Sequence, residues 1–362
     1  MNNLSGVHIG VGAPLSGASR SMGIEMSQAI EMAVEDANAE SGALGFTFQS
    51  EVADDASEPG RAEVIARRFC SESRVLGIVG HYNSDASLAA ATVYRDAGLA
   101  MITPIASNPD LTERGLHNVF RFTNRDDRTA MAMARFLYTN RGKARAAVVE
   151  SRSAYGRSMG ERFMEAFRAV GGTVTARHDV DIGQREFDRL IRELGPGFDV
   201  LFYGGTFEGA YVLTTMRSAG FNQLFAAGDG CWDTTNFLEP AGLSATEGEG
   251  VLVLAATPEI GFVPRSAEFA ARYRSRFGPI TNYAVNSYDA ASTLIQAINA
   301  CAENTGRIPS REDVLRSLRS LRHQGIAYPK PTTWDAKGDN LAAVTALYDV
   351  VDRSFHQLAV ID

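Results

Sequence analysis

The chain has 362 residues, 35 of them basic and 43 acidic, for a net charge of −8, with 45% hydrophobic and 22% charged residues. That length suggests two domains, each able to bury a sizeable core, and the balance argues against wholesale disorder. No apolar run reaches the length of a transmembrane helix, and Lys and Arg are nowhere clustered enough to neutralise a nucleic-acid backbone.

Two apolar, β-branched runs set the pattern: residues 7–11, followed by Gly12-Ala13-Pro14, and residues 75–79, followed by Gly80. Short continuous apolar runs that end in Gly or Pro predict strands buried on both faces, as in parallel sheets. Met26, Ile30, Ala33, Val34 and Ala37 recur at helical spacing, with Glu25, Glu31 and Glu35 on other faces, so a helix follows the first strand. A strand over 46–52, a helix over 58–70 and, beyond the second run, a helix over 84–94 come next. Strands are predicted over 99–103 and 119–122, before the charged stretch Arg125-Asp126-Asp127-Arg128. There the series restarts: helix 129–139, strand 146–150, helix 160–170, strand 200–203, helix 209–219, strands 224–227 and 250–254. Helices over 267–277, 283–302 and 312–321 close it. The alternation predicts an α/β protein with parallel sheets. About eleven strands are too many for one ordinary open sheet in a chain this long, so two sheets are expected, with a boundary near residue 125.

Signatures of enzymes are missing. There is no G-x-S-x-G elbow, no H-E-x-x-H, no P-loop, and Gly10-Val11-Gly12 lacks the third glycine of a dinucleotide fingerprint. Cys70, Cys231 and Cys301 are far apart and odd in number, which suits neither a zinc site nor a disulfide framework. No cofactor and no metal are expected. Of six scattered histidines only His81 directly follows a strand, and it reads first as a hydrogen-bonded structural residue. Met1-Asn2-Asn3-Leu4-Ser5 has neither a charged nor an apolar leader region, so the protein is either cytoplasmic or has lost a signal peptide.

Three strand-end segments carry the chemistry. Gly80-His81-Tyr82-Asn83-Ser84 ends one strand and opens a helix; Ser84 can cap that helix, or offer its hydroxyl and nearby N–H groups to a carboxylate. Thr103-Pro104-Ile105-Ala106-Ser107-Asn108-Pro109 follows another strand, as a Pro-bracketed turn or as a second lining of the same crevice. Ala227-Gly228-Asp229-Gly230-Cys231-Trp232-Asp233 follows a third strand; Asp229 is a turn residue or the anionic partner of an ammonium group, with Trp232 as apolar wall.

These motifs, with Val11-Gly12-Ala13-Pro14-Leu15-Ser16-Gly17, Ile102-Thr103-Pro104, Pro109-Asp110-Leu111-Thr112-Glu113-Arg114-Gly115, Tyr155-Gly156, Tyr203-Gly204-Gly205 and Trp334-Asp335-Ala336-Lys337-Gly338-Asp339, run along nearly the whole chain. In content and order they resemble type I periplasmic solute-binding proteins of the leucine/isoleucine/valine-binding family, the receptors of ABC importers. The resemblance implies two Rossmann-like lobes, a ligand cleft and three hinge crossovers. Residues 1–125 with 255–330 would form the N-terminal lobe, and 126–254 with 340–362 the C-terminal one. It further implies a periplasmic binding protein and not an enzyme, with a small zwitterion such as an amino acid as ligand, a membrane ABC permease as partner, and no nucleic acid. Carried over by position, Ser84 and Ser107 bind the α-carboxylate, with Ala106 and Asn83 beside them, and Ile105 offers its carbonyl to the ammonium. Tyr155 is a cleft tyrosine, Asp229 the acidic partner of the ammonium, and Met22 and Tyr283 are wall residues. Thr206 stands where leucine-binding relatives carry a second tyrosine, and Asp229 replaces a longer Glu. Tyr82 and Trp232 add bulk, and Glu208 is expected at the rim. These departures point to small, polar or ω-amino acids. The alternative is a cytoplasmic amide- or amino-acid-sensing regulator of the same fold.

Overall fold

The structure is a computed structural model that describes residues 5–40 and 45–361; residues 1–4, on which the leader question turns, lie outside them. The chain forms two compact units, Met1–Asn124 with Thr257–Ala343 and Arg125–Ala256 with Val344–Asp362. It therefore passes from one unit to the other three times.

In chain order the first unit begins with β1 (Ser5–Ala13), α1 (Arg20–Glu40), β2 (Phe46–Asp54), α2 (Pro59–Ser71) and β3 (Val75–Gly80). It continues with α3 (Ser84–Asp96), β4 (Ala100–Thr103), α4 (Asp110–Glu113) and β5 (Val119–Arg121). Every strand is parallel to its neighbours in the order β2-β1-β3-β4-β5. Such a sheet is covered on both faces, and β3 and β4 are buried along their whole length. Because Gly12 pairs with Gly80, and Val79 with Ile102, the carboxyl ends of β1, β3 and β4 share one edge. The loops leaving that edge, with the first turns of the helices they enter, carry Met22, Tyr82, Asn83, Ser84 and residues 105–107.

The second unit follows with α5 (Asp126–Arg135), β6 (Arg145–Ser151), α6 (Ala154–Ala169), β7 (Thr173–Val180), α7 (Asp188–Leu194) and β8 (Val200–Gly204). Then come α8 (Glu208–Ser218), β9 (Leu224–Ala227), the short α9 (Glu239–Ala241) and β10 (Val251–Ala255). Phe163 of α6 stacks on Phe202 of β8 with ring centroids 3.8 Å apart, which fixes α6 over the sheet. The chain returns to the first unit for α10 (Pro264–Phe277), α11 (Asn282–Thr305) and α12 (Arg311–Ser320), and ends as the hairpin β11 (Thr345–Val351) and β12 (Ser354–Ile361). The second sheet runs β12-β11-β10-β9-β8-β6-β7. It is parallel from β10 to β7, but β11 and β12 are antiparallel, so the expectation of wholly parallel sheets holds for the first sheet alone.

β7, α7 and the terminal hairpin lie outside the predicted elements, and α6 begins six residues before the predicted helix over 160–170. Residues 331–343 belong to the first unit, so the return comes at Val344 and not after Asp339. Asn340 holds the segment there: its Nδ2 donates to the Phe122 carbonyl at 3.0 Å, and its backbone N–H donates to the Arg121 carbonyl.

Arg311 ties α12 to two helix ends. Its guanidinium donates to the carbonyls of Val75 (3.0 Å), Cys70 (3.1 Å), Ala97 (3.4 Å), Phe69 (3.4 Å) and Glu72 (2.8 Å). A cation at helix C-termini also opposes the negative end of the dipole. Arg311→Ala removes a charged donor from each of these acceptors, and is expected to cost about 2–3 kcal/mol, read as a lower urea midpoint. Arg311→Lys should recover only part, since an ammonium cannot span five carbonyls.

Candidate functional site

On the first unit the site is built where β3 and β4 end. Asn83 occupies the N-cap of α3 but makes no side-chain cap bond, and Ser84 is the first helical residue. The first-turn N–H groups of α3 thus keep the positive end of the helix dipole in front of them. Ser84 is 2% exposed and Ser107 3%, with Ile105 and Ala106 buried between. The turn over 104–109 is held from behind. The Ala106 N–H donates to Thr103 Oγ1 at 3.1 Å, and the Asp110 N–H donates to Asn108 Oδ1 at 2.9 Å. Tyr82 and Tyr283 meet edge to face with centroids 6.2 Å apart, while Met22 is buried in the first turn of α1.

Arg121 anchors that turn. It is fully buried; its Nε donates to Asp339 Oδ1 at 2.8 Å, its Nη1 to the Asn108 carbonyl and its Nη2 to Thr112 Oγ1, both at 2.5 Å. Gly338 is at φ 101°, and a Cβ there would meet the Val119 carbonyl at 2.1 Å, so a side chain would push Asp339 out of place.

His81 is buried, with Nδ1 2.6 Å from Asp55 Oδ2 and Nε2 3.1 Å from the Tyr94 hydroxyl. This agrees with the structural reading of His81. Gly12 leaves its space: a Cβ there would lie 2.3 Å from the imidazole.

On the second unit the corresponding edge is formed by the ends of β6, β8 and β9. Ser153 caps α6 by accepting from the Gly156 N–H at 2.9 Å, which puts Tyr155 in the first turn. The Tyr155 hydroxyl donates to Asp229 Oδ1 at 2.6 Å and accepts from the Gly230 N–H at 2.9 Å. Burial, then the Asp229 and Asp126 carboxylates, push the phenol well above its ordinary pKa, so it remains a neutral donor. The Gly-Asp-Gly spacing has a steric origin. A Cβ on Gly228 would sit 2.6 Å from the Tyr155 oxygen, and one on Gly230 2.4 Å from the Gly205 carbonyl. Asp229 itself is 6% exposed.

One sequence expectation changes here. Glu208 is not at a rim. It is fully buried and accepts from the Gly183 N–H (2.8 Å), Thr206 Oγ1 (3.0 Å) and the Tyr203 hydroxyl (3.2 Å). A carboxylate with three donors is stable inside. Thr206 is consequently a partner of Glu208. Trp232, read as an apolar wall, packs on the terminal hairpin, with centroids 5.6 Å from Tyr348 and 5.8 Å from Phe355. Asp55 and Arg121 are absent from the predicted site.

Among the described residues no group of three or more His, Cys, Asp or Glu side chains is arranged to hold a metal ion. The two strand-end edges differ in chemistry. The first presents hydroxyls and helix N–H groups suited to an anion, and the second a buried carboxylate suited to a cation.

A family described as periplasmic binding protein matches residues 6–352. The chain is 28% identical over 340 residues to the Leu/Ile/Val-binding protein homolog 2 of Brucella abortus (strain 2308), an alignment covering 92% of this chain and 87% of that protein. It is 28% identical over 359 residues to the amino acid binding protein of Pseudomonas aeruginosa, covering 98% and 93% respectively. The crystal structure of the leucine binding protein LivK from Thermotoga maritima superposes with a TM-score of 0.88 at 26% identity, covering 98% of this chain and 99% of that one. With the match spanning both units, the chain belongs to the type I periplasmic binding proteins of the leucine/isoleucine/valine-binding family, which bind solutes and do not transform them.

Proposed function

We propose that this protein is the extracytoplasmic receptor of an ABC importer and captures a small zwitterion, an α- or ω-amino acid, for delivery to a membrane permease. The observation that carries the reading is the opposite chemistry of the two units at the carboxyl ends of their parallel strands, where open α/β sheets bind ligands. In the reading, the ligand carboxylate takes the Ser84 and Ser107 hydroxyls and the N-terminal N–H groups of α3. Its ammonium takes Asp229, oriented by Tyr155, and the Ile105 carbonyl. Asn83, Ala106, Met22, Tyr82 and Tyr283 surround the ligand from the first unit, and Thr206 and Trp232 shape the Asp229 loop from the second. A ligand whose two ends are met by different units binds fully only when both engage it, and so shifts a conformational equilibrium.

Relatives named for leucine, isoleucine and valine support an amino acid as the ligand class. Asp229 and Thr206 favour a ligand that is small or polar, or whose ammonium stands away from the carboxylate, as in γ-aminobutyrate. The test is a thermal-shift screen of the proteinogenic amino acids, γ-aminobutyrate, short amides, urea and aromatic acids. A ligand at about 100 times its Kd adds roughly 2.7 kcal/mol of apparent stability. Stabilisation by amino acids is the expected result; stabilisation by neutral amides or aromatic acids alone would remove the ammonium role of Asp229. Leucine binding orders of magnitude tighter than small or ω-amino acids would overturn the narrower preference.

A further inference from the structure

The His81–Asp55–Tyr94 cluster has no direct place among the ligand contacts proposed above, yet it lies directly behind the first unit's strand-end loops. His81 and Asp55 are both fully buried. A carboxylate can only accept, so the 2.6 Å contact places the His81 proton on Nδ1, towards Asp55. Asp55 is fixed in turn: its N–H donates to the Ala13 carbonyl at 3.0 Å, and its Oδ1 accepts from the Ser57 N–H at 2.8 Å. With Tyr94 of α3 on Nε2 and Gly12 of β1 against the ring, the imidazole is held from three sides, by the turn after β2, by α3 and by β1.

The consequence lies in the His81 carbonyl. It accepts from Ser87 Oγ in the first turn of α3 at 3.2 Å, and from Thr103 Oγ1 at the end of β4 at 3.0 Å. Thr103 Oγ1 also accepts from the Ala106 N–H at 3.1 Å. One peptide group thus joins the helix that begins with Ser84 to the turn that holds Ser107. We propose that His81 is a positioning residue whose bond to Asp55 sets the spacing between these two serines, and with it the fit of a carboxylate. This rests on the reading of Ser84 and Ser107 as the carboxylate contacts.

The experiment uses the full chain and the variants Asp55→Asn, Tyr94→Phe and, as a check on the site itself, Ser84→Ala. The probes are the twenty proteinogenic amino acids and γ-aminobutyrate, titrated singly by calorimetry, and then the carboxamide of each that binds. Mispositioned donors should penalise the carboxylate and spare the remainder of the ligand. Asp55→Asn is expected to weaken the acid by about 10- to 100-fold, with less effect on the carboxamide, so that discrimination between them shrinks. Tyr94→Phe should act in the same direction and less strongly. Acid and amide weakening in parallel, or neither weakening in a folded Asp55→Asn, would overturn the positioning role. If Asp55→Asn does not fold, the imidazole 15N and Nδ1 proton resonances of the wild type decide: they should shift on adding the binding amino acid and stay put with its carboxamide, and equal response to both overturns the proposal. An unchanged acid affinity in Ser84→Ala would instead bring down the site reading itself, whatever Asp55→Asn does.

Discussion

Asp229→Ala is expected to weaken binding of the amino acid that stabilises the protein most by about 3 kcal/mol, roughly a hundredfold or more in Kd by calorimetry. The cause is desolvation. An ammonium entering a site where Asp229 is 6% exposed gives up its water and must recover the loss from the carboxylate. Once the carboxylate is gone, the Tyr155 hydroxyl and a backbone carbonyl leave most of the positive charge uncompensated. Asp229→Asn should lose nearly as much, because an amide keeps the shape and drops the charge. Tyr155→Phe removes the donor at 2.6 Å from Asp229 Oδ1 and leaves the carboxylate less well oriented; about tenfold is the expected loss. Near-normal affinity in Asp229→Ala would place the cationic end of the ligand elsewhere.

The series of strand ends was legible because its signal is local. Residues 75–79 and 200–203 are unbroken apolar runs closed by glycine, and both are strands buried on two faces. Tyr155 and Asp229 were legible through the family motifs, and they meet in space across 74 positions of chain. β7 was not, since Thr173–Val180 is an edge strand whose alternate residues face water, including Arg177 and Asp179. The hairpin of β11 and β12 turns through Asp352 and Arg353, at φ 49° and 59°, without the glycine or asparagine that normally marks such a turn. Glu208 misled for a related reason: three donors hold it inside, and two of them lie on other elements. Nothing in one sequence announces a partnership of that kind, and the same holds for His81 with Asp55.

The pairing of Arg121 with Asp339 is another such case, across 218 positions, and it supports the second large expectation. Asp339→Ala leaves a fully buried guanidinium facing the Thr112 hydroxyl and the Asn108 carbonyl without its counter-charge. A buried charge deprived of its partner costs about 3–5 kcal/mol, enough to abolish much of a domain's margin. The loss should appear as an early transition in chemical denaturation monitored by probes in the first unit. Arg121→Met should lose as much or more, because it also removes the side-chain donor to the Asn108 carbonyl and so loosens the turn that carries Ser107. The double change Arg121→Met with Asp339→Leu removes both charges and should recover part of the stability. Its ligand affinity should stay low, since the turn over 104–109 would still lack the Arg121 donor on the Asn108 carbonyl. Recovery of stability without recovery of binding would separate the two services of Arg121, holding the fold and aiming the serine; recovery of both would leave it a purely structural residue.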